Sequence, residues 1–318
     1  MITDLLFELK GAKSIGISGH IKPDGDCIGS CLSLMLYLKK VMPEAAVEVF
    51  LETPGRLFDN IPARNEIITN FPKREPFDVF IVCDTNKGRT GDAEKYADAA
   101  KKTVNIDHHI SNKEGTGMVN HVIPSVSSCA EVLYDLMDKS YIDTDIAELI
   151  YMGMAHDTGI FRFSNTSPET MKKAGELIAY GFDFPKLIDE SYYVKTFKQS
   201  RFQAEIMLSS KRYLDNRVIV GTADKRFMDA IGATKDDTDG AVNMLRNIQG
   251  VECAIFIYEK FPGIMKASLR ASSDLVNVAK VAESFNGGGH VRAAGCEYKG
   301  AMEDFTYMLL TETQKQLV

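Results

Sequence analysis

The chain has 318 residues, of which 45% are hydrophobic and 25% are charged, and its formal net charge at pH 7 is −7. This composition is typical of a soluble globular protein, and the length is sufficient for two domains. The acidic balance argues against a protein whose main task is to grip long nucleic acid, although a short nucleotide could lie in a locally positive cleft.

The sequence also bears on compartment and membrane association. No apolar run is long enough to span a bilayer, and the N-terminal stretch carries Asp4 and Glu8, which predicts an amphipathic helix rather than a signal peptide. The six cysteines form no CxxC pair. We therefore expect reduced thiols and a cytoplasmic protein.

The first part of the chain alternates β-rich runs with helical patterns. Strands are predicted at 14–20, 47–51, 77–85 and 103–107, and a helix is predicted over 29–43, ending at Pro43. Continuous apolar strands separated by helices indicate a parallel sheet with both faces covered. Residues 1–190 are therefore predicted to form a Rossmann-like domain.

Two later helix starts carry capping signals. Ser128 and Glu131 have the spacing of a capping box, and Ser167 precedes Pro168 at the first helical position of a segment that Gly181 closes. A charged helix over 196–213 is predicted to form most of a connector, residues 191–215.

The pattern of predicted strands and helices changes after the connector. Strands are predicted at 217–223, 251–259 and 264–272, with a hairpin turn at 260–263 and helices near 239–248 and 275–285. Residues 216–318 are thus predicted to form a smaller α/β domain with a mixed sheet. The predicted fold class is α/β with two domains, and we expect the active site in the cleft between them.

Aspartates and histidines cluster after the predicted strands of the first domain and in one helical segment. They are His20, Asp24, Asp26, Asp84, Asp107, His108, His109 and Asp157. A lone PDGD sequence is more often a turn. Four clusters at what would be the carboxyl edge of one parallel sheet instead favour a ligand site, because open α/β sheets bind ligands at that edge.

The charges of these side chains indicate a metal centre. Asp24, Asp26, Asp84 and Asp157 would repel one another strongly in a cleft of low dielectric constant, and divalent cations relieve that repulsion. Carboxylates combined with imidazoles suit manganese, iron or cobalt better than magnesium alone. Four carboxylates and two histidines suffice for two metals that share one carboxylate, which points to phosphoester hydrolysis.

The segments HIKPDGD, CDT, DHH and DTG resemble, in order and spacing, the signature motifs of the DHH phosphoesterase superfamily. The segment FNGGGHVRAAG, residues 285–295, resembles the glycine-rich motif of the DHH-associated domain. Together these resemblances cover nearly the whole chain.

The resemblance implies a role for each matching residue. His20, Asp24 and Asp84 would hold one metal, and Asp84 would bridge to a second. The second metal would be held by Asp26, Asp84, His108 and Asp157. His109 would face the substrate phosphate as a catalytic group, and Asp107 would orient a neighbouring histidine or backbone group. Two divalent ions are implied, Mn²⁺ foremost, with Mg²⁺ or Co²⁺ as substitutes.

In the second domain the resemblance implies a substrate-binding set. Its members are Arg270, Gly287, Gly288, Gly289 and His290, and they would hold a terminal phosphate or sugar. Glycines let backbone N–H groups approach an anion closely, whereas a glycine turn that merely packs is the alternative.

Two positions depart from the family pattern. His156 precedes Asp157 where a small or hydroxyl residue is expected, and we predict that it packs beside the site rather than binding metal. Cys27 stands where alanine is usual, and we predict that it is buried as a small hydrophobic group.

The compact chain with a GGGH motif is most similar to the NrnA-type nano-RNases of this superfamily. That similarity implies hydrolysis of short oligoribonucleotides to mononucleotides and removal of the 3′-phosphate of adenosine 3′,5′-bisphosphate. A soluble phosphodiesterase acting on c-di-AMP or pApA is the alternative, and a non-catalytic nucleotide-binding regulator is a remote one. Partners would be short RNA or small bisphosphate or cyclic nucleotides, without long nucleic acid or membrane, and the resemblance is compatible with a homodimer.

Overall fold

The computed structural model describes residues 5–317. They divide into two compact units, the first ending at Val194 and the second beginning at Lys195. The predicted N-terminal helix begins outside the described residues, and its described part is the short helix α1, Leu5–Glu8. None of the helices within 5–317 has the length and apolar character that crossing a bilayer requires.

The described part of the first unit is built on a six-stranded parallel sheet. Its strands are β1 Ser14–Ser18, β2 Ala46–Phe50, β3 Ile67–Ile68, β4 Val79–Cys83, β5 Lys102–Asp107 and β6 Val119–Val122. Their order across the sheet is β3-β2-β1-β4-β5-β6, and every neighbouring pair is parallel. The direction of winding reverses between β1 and β4, which makes the carboxyl end of these two strands the expected ligand position.

Helices cover both faces of this sheet. They are α2 Gly25–Val41, α3 Glu94–Ala99, α4 Cys129–Leu136, α5 Thr144–Asp157, α6 Pro168–Ile178 and α7 Phe184–Ile188. The larger core lies on the face of α2, α4 and α5, and a smaller aromatic core around Phe50, Phe77 and Phe80 lies under α3. Helices α2 and α5 pack closely because Gly29 has no side chain; a Cβ there would collide with the carbonyl oxygen of Leu149.

The structure places the start of α2 four residues before the predicted position. The helix begins at Gly25 because the Asp24 carboxylate accepts hydrogen bonds from the backbone N–H groups of Asp26 and Cys27, each at 3.1 Å. It ends at Val41, two residues before Pro43. This earlier start puts Asp26 in the first turn of the helix.

The second unit carries a mixed sheet. Its strands are β7 Lys211–Tyr213, β8 Val218–Ala223, β9 Cys253–Phe261, β10 Ile264–Ala271, β11 Gly288–His290 and β12 Ala293–Lys299. Their order is β11-β12-β10-β9-β8-β7, with only the β8–β9 pair parallel. The helices are α8 Phe197–Ser209, α9 Lys225–Ala230, α10 Ala241–Arg246, α11 Val278–Glu283 and α12 Met302–Gln314. The predicted hairpin across 260–263 is present as β9–β10.

Candidate metal centre

The carboxyl ends of three neighbouring strands deliver the predicted histidines and aspartates to one place. His20, Asp24 and Asp26 follow β1, Asp84 follows β4, and Asp107, His108 and His109 lie at the end of β5. Asp157 is the last residue of α5. All of them belong to the first unit. Three overlapping groups of described residues have donor atoms within 4.8 Å of one another, close enough to hold a metal ion, and Asp24 is in none of these groups. The groups are Asp84 with Asp107, His108 and His109; Asp26 with His108 and Asp157; and His20 with Cys27 and Asp84.

Asp84 occupies the middle of this cluster. Its Oδ2 lies 3.5 Å from His20 Nε2, and its Oδ1 lies 3.5 Å from His108 Nε2. The backbone at Asp84 is left-handed, with φ of 58°, a conformation that aspartate tolerates better than most residues. The two oxygens of one carboxylate therefore face two different histidines.

His20 completes the first side of the cluster. Its Nδ1 lies 2.9 Å from the carbonyl oxygen of Ile21, which fixes the ring proton there and leaves Nε2 as the free donor atom. That Nε2 lies 3.6 Å from Asp24 Oδ1. One nitrogen of His20 therefore lies within 3.6 Å of a carboxylate oxygen from both Asp24 and Asp84.

His108 lies at the second side of the cluster. Its Nε2 lies 3.5 Å from Asp157 Oδ2 and 3.9 Å from Asp26 Oδ2, in addition to its approach to Asp84. Asp26 is held at the N-terminus of α4, where its carboxylate accepts hydrogen bonds from the backbone N–H groups of Cys129 and Ala130 at 2.7 and 2.9 Å. A helix N-terminus favours a negative charge, so these two hydrogen bonds hold the Asp26 carboxyl group in place beside His108.

The titration behaviour of these groups reflects their crowding. Burial raises the pKa of Asp26 well above its usual range, and the carboxylates of Asp84 and Asp157 raise it further. Burial also raises the pKa of Asp157, to about 6, with Asp84 and Asp24 adding to the effect. A cation in the cluster would favour the charged form of each carboxylate.

The pKa values of His20 and His108 are also raised, which for an imidazole favours the charged form. Burial alone would lower the pKa of His20, but the carboxylates of Asp24 and Asp84 outweigh burial and raise it to about 12. The same holds for His108. Burial alone would lower the pKa of its ring, but Asp84, Asp26 and Asp157 together raise it to about 10. The cluster therefore holds positive charge strongly, as protons or as metal ions.

Two buried atoms show that the residues present fit a metal. Asp84 Oδ1 and His108 Nε2 are buried, and neither has a hydrogen-bond partner among the residues described. Two donor atoms that share one metal at about 2.1 Å lie roughly 3.0–3.5 Å apart, and these two atoms are 3.5 Å apart. Orphaned buried polar atoms are rare in native proteins, and a shared ion would satisfy both.

Asp107 and His109 form a linked pair beside the cluster. The fully buried Asp107 accepts hydrogen bonds through Oδ1 from the backbone N–H groups of His108 and His109 and from His109 Nδ1, the last at 2.8 Å. Its Oδ2 accepts one from the Asn112 side chain at 2.6 Å. Burial opposes the charge of Asp107, but the hydrogen bonds from His109 and Asn112 outweigh it and lower the pKa.

His109 is the most accessible of the three histidines in the cluster. Its side chain is 31% exposed, against 13% for His20 and 12% for His108. The hydrogen bond to Asp107 is the main cause that raises the pKa of His109. The ring is thus oriented by a buried carboxylate while part of it remains open to solvent.

The structure separates His156 from the metal ligands. Its Nε2 lies 3.1 Å from the Ser191 hydroxyl, its ring packs against Phe58 and Tyr192, and burial lowers its pKa to about 4. None of the candidate metal groups among the described residues includes His156. A Cβ on Gly25 would collide with this ring, so the glycine at the start of α2 makes room for it.

A strained loop follows Asp157, and no motif in the sequence predicts it. Gly159, Ile160 and Phe161 have φ of 57°, 57° and 58°, and left-handed backbone at a β-branched residue is costly. The loop returns to its start, where the Asn165 amide donates hydrogen bonds to the carbonyl oxygens of Asp157 and Ser127. Such strain persists where the surroundings enforce it, and here it fixes the chain immediately after Asp157.

In the second unit, Arg270 lies on β10 and is half-buried. Burial lowers the pKa of Arg270, and the nearby Arg246 lowers it further. Within the described residues no carboxylate forms an ion pair with Arg270; its guanidinium donates to the carbonyl oxygen of Leu269. Two neighbouring guanidinium groups favour an anion between or beside them.

The glycine motif forms the short edge strand β11, which pairs with β12 only. A Cβ on Gly287 would collide with the Gly295 carbonyl oxygen, and one on Gly289 would collide with that of Ala293, whereas Gly288 faces open space. Two of the three glycines are therefore required for sheet packing, which is the alternative to anion binding at this motif. His290 ends the strand and is exposed.

Comparison with known proteins identifies the family. Residues 14–154 match the DHH family N-terminal domain, and residues 215–314 match the DHHA1 domain. The chain is 30% identical to the bifunctional oligoribonuclease and PAP phosphatase NrnA of Bacillus subtilis, over 93% of this chain and 92% of that protein. It is 27% identical to NrnA of Thermus thermophilus, over 99% of this chain and 93% of that protein.

Solved structures agree with the fold. An exopolyphosphatase-related protein from Bacteroides fragilis superposes with a TM-score of 0.88 at 25% identity, covering 98% of this chain and 94% of that one. RecJ from Thermus thermophilus, solved with Mn²⁺, superposes with a TM-score of 0.53 at 13% identity, over 98% of this chain and 53% of that one.

A further relative has a different activity. The cyclic-di-AMP phosphodiesterase PdeA of Listeria monocytogenes is 26% identical over 95% of this chain, which spans 46% of PdeA. The NrnA proteins match along nearly their whole length instead. With both domain matches in place and 30% identity to the Bacillus subtilis enzyme over almost the entire chain, the protein belongs to the DHH family.

Proposed function

We propose that the protein is a metal-dependent phosphoesterase that hydrolyses short oligoribonucleotides to mononucleotides. The observation that carries this proposal is the position of Asp84, whose two oxygens face His20 and His108 from either side. A shared carboxylate between two imidazoles is the arrangement expected of a two-metal hydrolase. The NrnA relatives, named as oligoribonuclease and PAP phosphatase, support the same substrate class and add the 3′-phosphate of adenosine 3′,5′-bisphosphate.

The geometry of the cluster supports an assignment of the metal-binding residues. We propose that His20, Asp24 and Asp84 hold one divalent ion and that Asp26, Asp84, His108 and Asp157 hold the second. Mn²⁺ is the first candidate because the donors combine carboxylates with imidazoles, and Mg²⁺ or Co²⁺ could replace it. When bound, the ions supply an activated water and neutralise charge on the phosphoryl group.

The linked pair beside the cluster supplies a proton-handling group. His109 donates through Nδ1 to Asp107, so its other ring nitrogen is free to contact a substrate phosphate or a leaving oxygen. The raised pKa of His109 favours the protonated ring, which suits a group that stabilises developing negative charge. Asp107 is then a positioning residue, since it touches the histidine rather than the substrate.

We propose that the second unit binds a terminal phosphate or sugar. Arg270 lacks a carboxylate partner among the described residues, and the nearby Arg246 adds positive charge. The edge strand β11, which contains Gly288, Gly289 and His290, and the preceding residue Gly287 offer backbone N–H groups and an exposed imidazole. A phosphate or a sugar hydroxyl is the ligand that these donors recognise.

The proposal also covers the length of the substrate and the cellular location of the protein. A net charge of −7 disfavours non-specific binding of long nucleic acid, so short RNA and small bisphosphate nucleotides are the proposed partners. The six cysteines are free and buried, which supports a reducing, cytoplasmic location. A homodimer stays a prediction from the resemblance.

A second candidate activity is hydrolysis of c-di-AMP or its linear product pApA. The 26% identity to PdeA over 95% of this chain favours it as a related branch. The near-complete coverage of the NrnA relatives places oligoribonucleotides first.

A substrate panel assayed side by side tests the proposal. With Mn²⁺ present, we would compare a 5′-labelled RNA dinucleotide, an RNA of about 24 nucleotides, adenosine 3′,5′-bisphosphate, c-di-AMP and pyrophosphate. Fast cleavage of the dinucleotide or the bisphosphate, with a slow longer RNA, is the expected result. Preferential cleavage of c-di-AMP would move the protein to the second candidate, and release of phosphate from pyrophosphate alone would overturn both.

A further inference from the structure

Four buried thiols lie directly beneath the proposed metal ligands. Cys27, Cys31, Cys83 and Cys129 are fully buried, and Cys31 interacts electrostatically with Cys27 and Cys83, as Cys129 does with Cys83. Each is close in sequence or space to a proposed ligand: Cys27 follows Asp26, and Cys83 precedes Asp84. The proposed function assigns no task to any of these thiols.

Cys27 differs from the other three because it shares space with two metal-ligand side chains. Its Sγ, a ring nitrogen of His20 and a carboxylate oxygen of Asp84 all lie within 4.8 Å of one another. Ligands that bind one ion at about 2.1–2.3 Å lie up to about 4.5 Å apart, so this triangle is close to a coordination set. Within residues 5–317, no other cysteine belongs to such a group.

The local chain holds the Cys27 sulfur in place. Its backbone N–H donates to Asp24 Oδ1 at 3.1 Å in the first turn of α2. Its Sγ lies 3.9 Å from the carbonyl oxygen of His20. Gly19 precedes His20, and a Cβ there would collide with this sulfur. The glycine therefore leaves the space that the thiol occupies at the end of β1.

Asp84 connects this triangle to the proposed metal centre. It is 3% exposed, and its Oδ2 lies 3.5 Å from His20 Nε2. The Cys27 sulfur, a soft ligand atom, therefore lies beside two side chains that are proposed to hold the same ion. A shared cation accounts for all three side chains together.

We propose that the Cys27 thiolate is an additional ligand of the ion held by His20, Asp24 and Asp84, and that it biases this position towards zinc, cobalt or iron over magnesium. On binding, the S–H bond breaks, the proton leaves to solvent and a sulfur–metal bond forms. Thiolate sulfur favours the softer first-row ions, whereas Mg²⁺ favours oxygen. The inference depends on the proposed metal centre but not on the identity of the substrate.

Cobalt absorption spectroscopy tests this inference on the full chain without any substrate. A thiolate bound to Co²⁺ gives an intense near-ultraviolet charge-transfer band, and visible ligand-field bands report that cobalt is bound whatever the ligands. We expect both in the unmodified protein. Cys27→Ala should retain the visible bands and lose the near-ultraviolet band, and it should bind Co²⁺ roughly tenfold more weakly relative to Mg²⁺.

Cys31→Ala is the matched control, because Cys31 lies one helical turn later, is equally buried and belongs to no ligand group. It should keep both sets of bands. Visible bands without a thiolate band in the unmodified protein would overturn the proposal, as would a thiolate band that survives in Cys27→Ala. The absence of all cobalt bands would overturn this inference together with the metal centre, whereas a negative substrate panel with both bands present would overturn only the proposed activity.

Discussion

Replacing Asp84 by asparagine tests the role of the shared carboxylate most sharply. Asparagine keeps the shape of the side chain and tolerates the left-handed backbone at this position, so the fold should survive. It keeps one oxygen but replaces the other by an amide nitrogen, which cannot bind a metal. One of the two histidines that Asp84 faces at 3.5 Å then loses its shared partner.

The size of the effect follows from the burial of the cluster. Asp84 is 3% exposed, and removing one partner of a buried charge pair costs about 3–5 kcal/mol. If that cost appears fully in the transition state, the rate falls by roughly a hundredfold to several thousandfold, at about 1.4 kcal/mol per tenfold change. We expect this loss in kcat for RNA dinucleotide cleavage at saturating Mn²⁺.

Thermal unfolding with and without Mn²⁺ separates lost metal binding from lost folding. A ligand present at about 100 times its Kd stabilises the native state by about 2.7 kcal/mol. The unmodified protein and the exposed control Asp92→Asn should gain this stabilisation, and Asp84→Asn should lose most of it while unfolding normally without metal. Turnover above about a tenth of the unmodified rate in Asp84→Asn, with the metal-induced stabilisation intact, would refute the shared-carboxylate account.

Four further predictions address other parts of the structure. Asp107→Asn should lower kcat about tenfold to a hundredfold, because Asp107 orients His109 through the 2.8 Å hydrogen bond. The metal content, measured by elemental analysis, should stay unchanged, and loss of metal would contradict this role. Arg270→Gln should raise KM far more than it lowers kcat, with both ions retained; a lost ion would refute the assignment of Arg270 to substrate. Metal binding should release protons and tighten as pH rises towards 8, because the pKa values of about 12 for His20 and about 10 for His108 keep both rings protonated in the metal-free protein. Calorimetry in buffers of different ionisation enthalpy should find at least two protons released, and a release of none would contradict this. Gly29→Ala should lower the free energy of unfolding, measured in urea, by about 1–3 kcal/mol, because the added Cβ would collide with the Leu149 carbonyl oxygen. Gly175→Ala should raise that free energy by up to about 1 kcal/mol, because a Cβ at this position of α6 meets no neighbouring atom. Equal effects of the two substitutions would show that α2 and α5 are not tightly packed.

The parallel sheet was predictable because its central strands are buried on both faces. Strands β1, β4 and β5 appear in the sequence as continuous apolar runs, and the structure contains each of them. The edge strands β3 and β6 were missed because β3 has two residues and β6 carries Asn120 and His121 among its four. Short or polar edge strands leave little periodic signal.

The glycine motif shows how tertiary packing can override local preference. Gly288–His290 form a strand although glycine disfavours β structure, because Gly287 and Gly289 let the backbone approach β12. The early start of α2 has a similar origin. Its Asp24 cap lies in a segment that also has the composition of a turn, so the sequence alone does not separate the two.

The residues of the candidate site were predictable from the order of the motifs, but the contacts that hold these residues in place were not. The sequence places Asp26 near the cluster, yet only the structure shows the N-terminus of α4 against its carboxylate, 103 residues further along the chain. The left-handed loop after Asp157 and the buried thiols also depend on contacts between distant segments. Such contacts have no local signature in a single sequence.

Crystals grown with Mn²⁺ and measured near the manganese absorption edge would test the central claim most directly. The account predicts two anomalous peaks per chain, about 3.5–4 Å apart, each bonded to a different oxygen of Asp84, with His20 at one ion and His108 at the other. A single peak, or two peaks that Asp84 does not bridge, would contradict it.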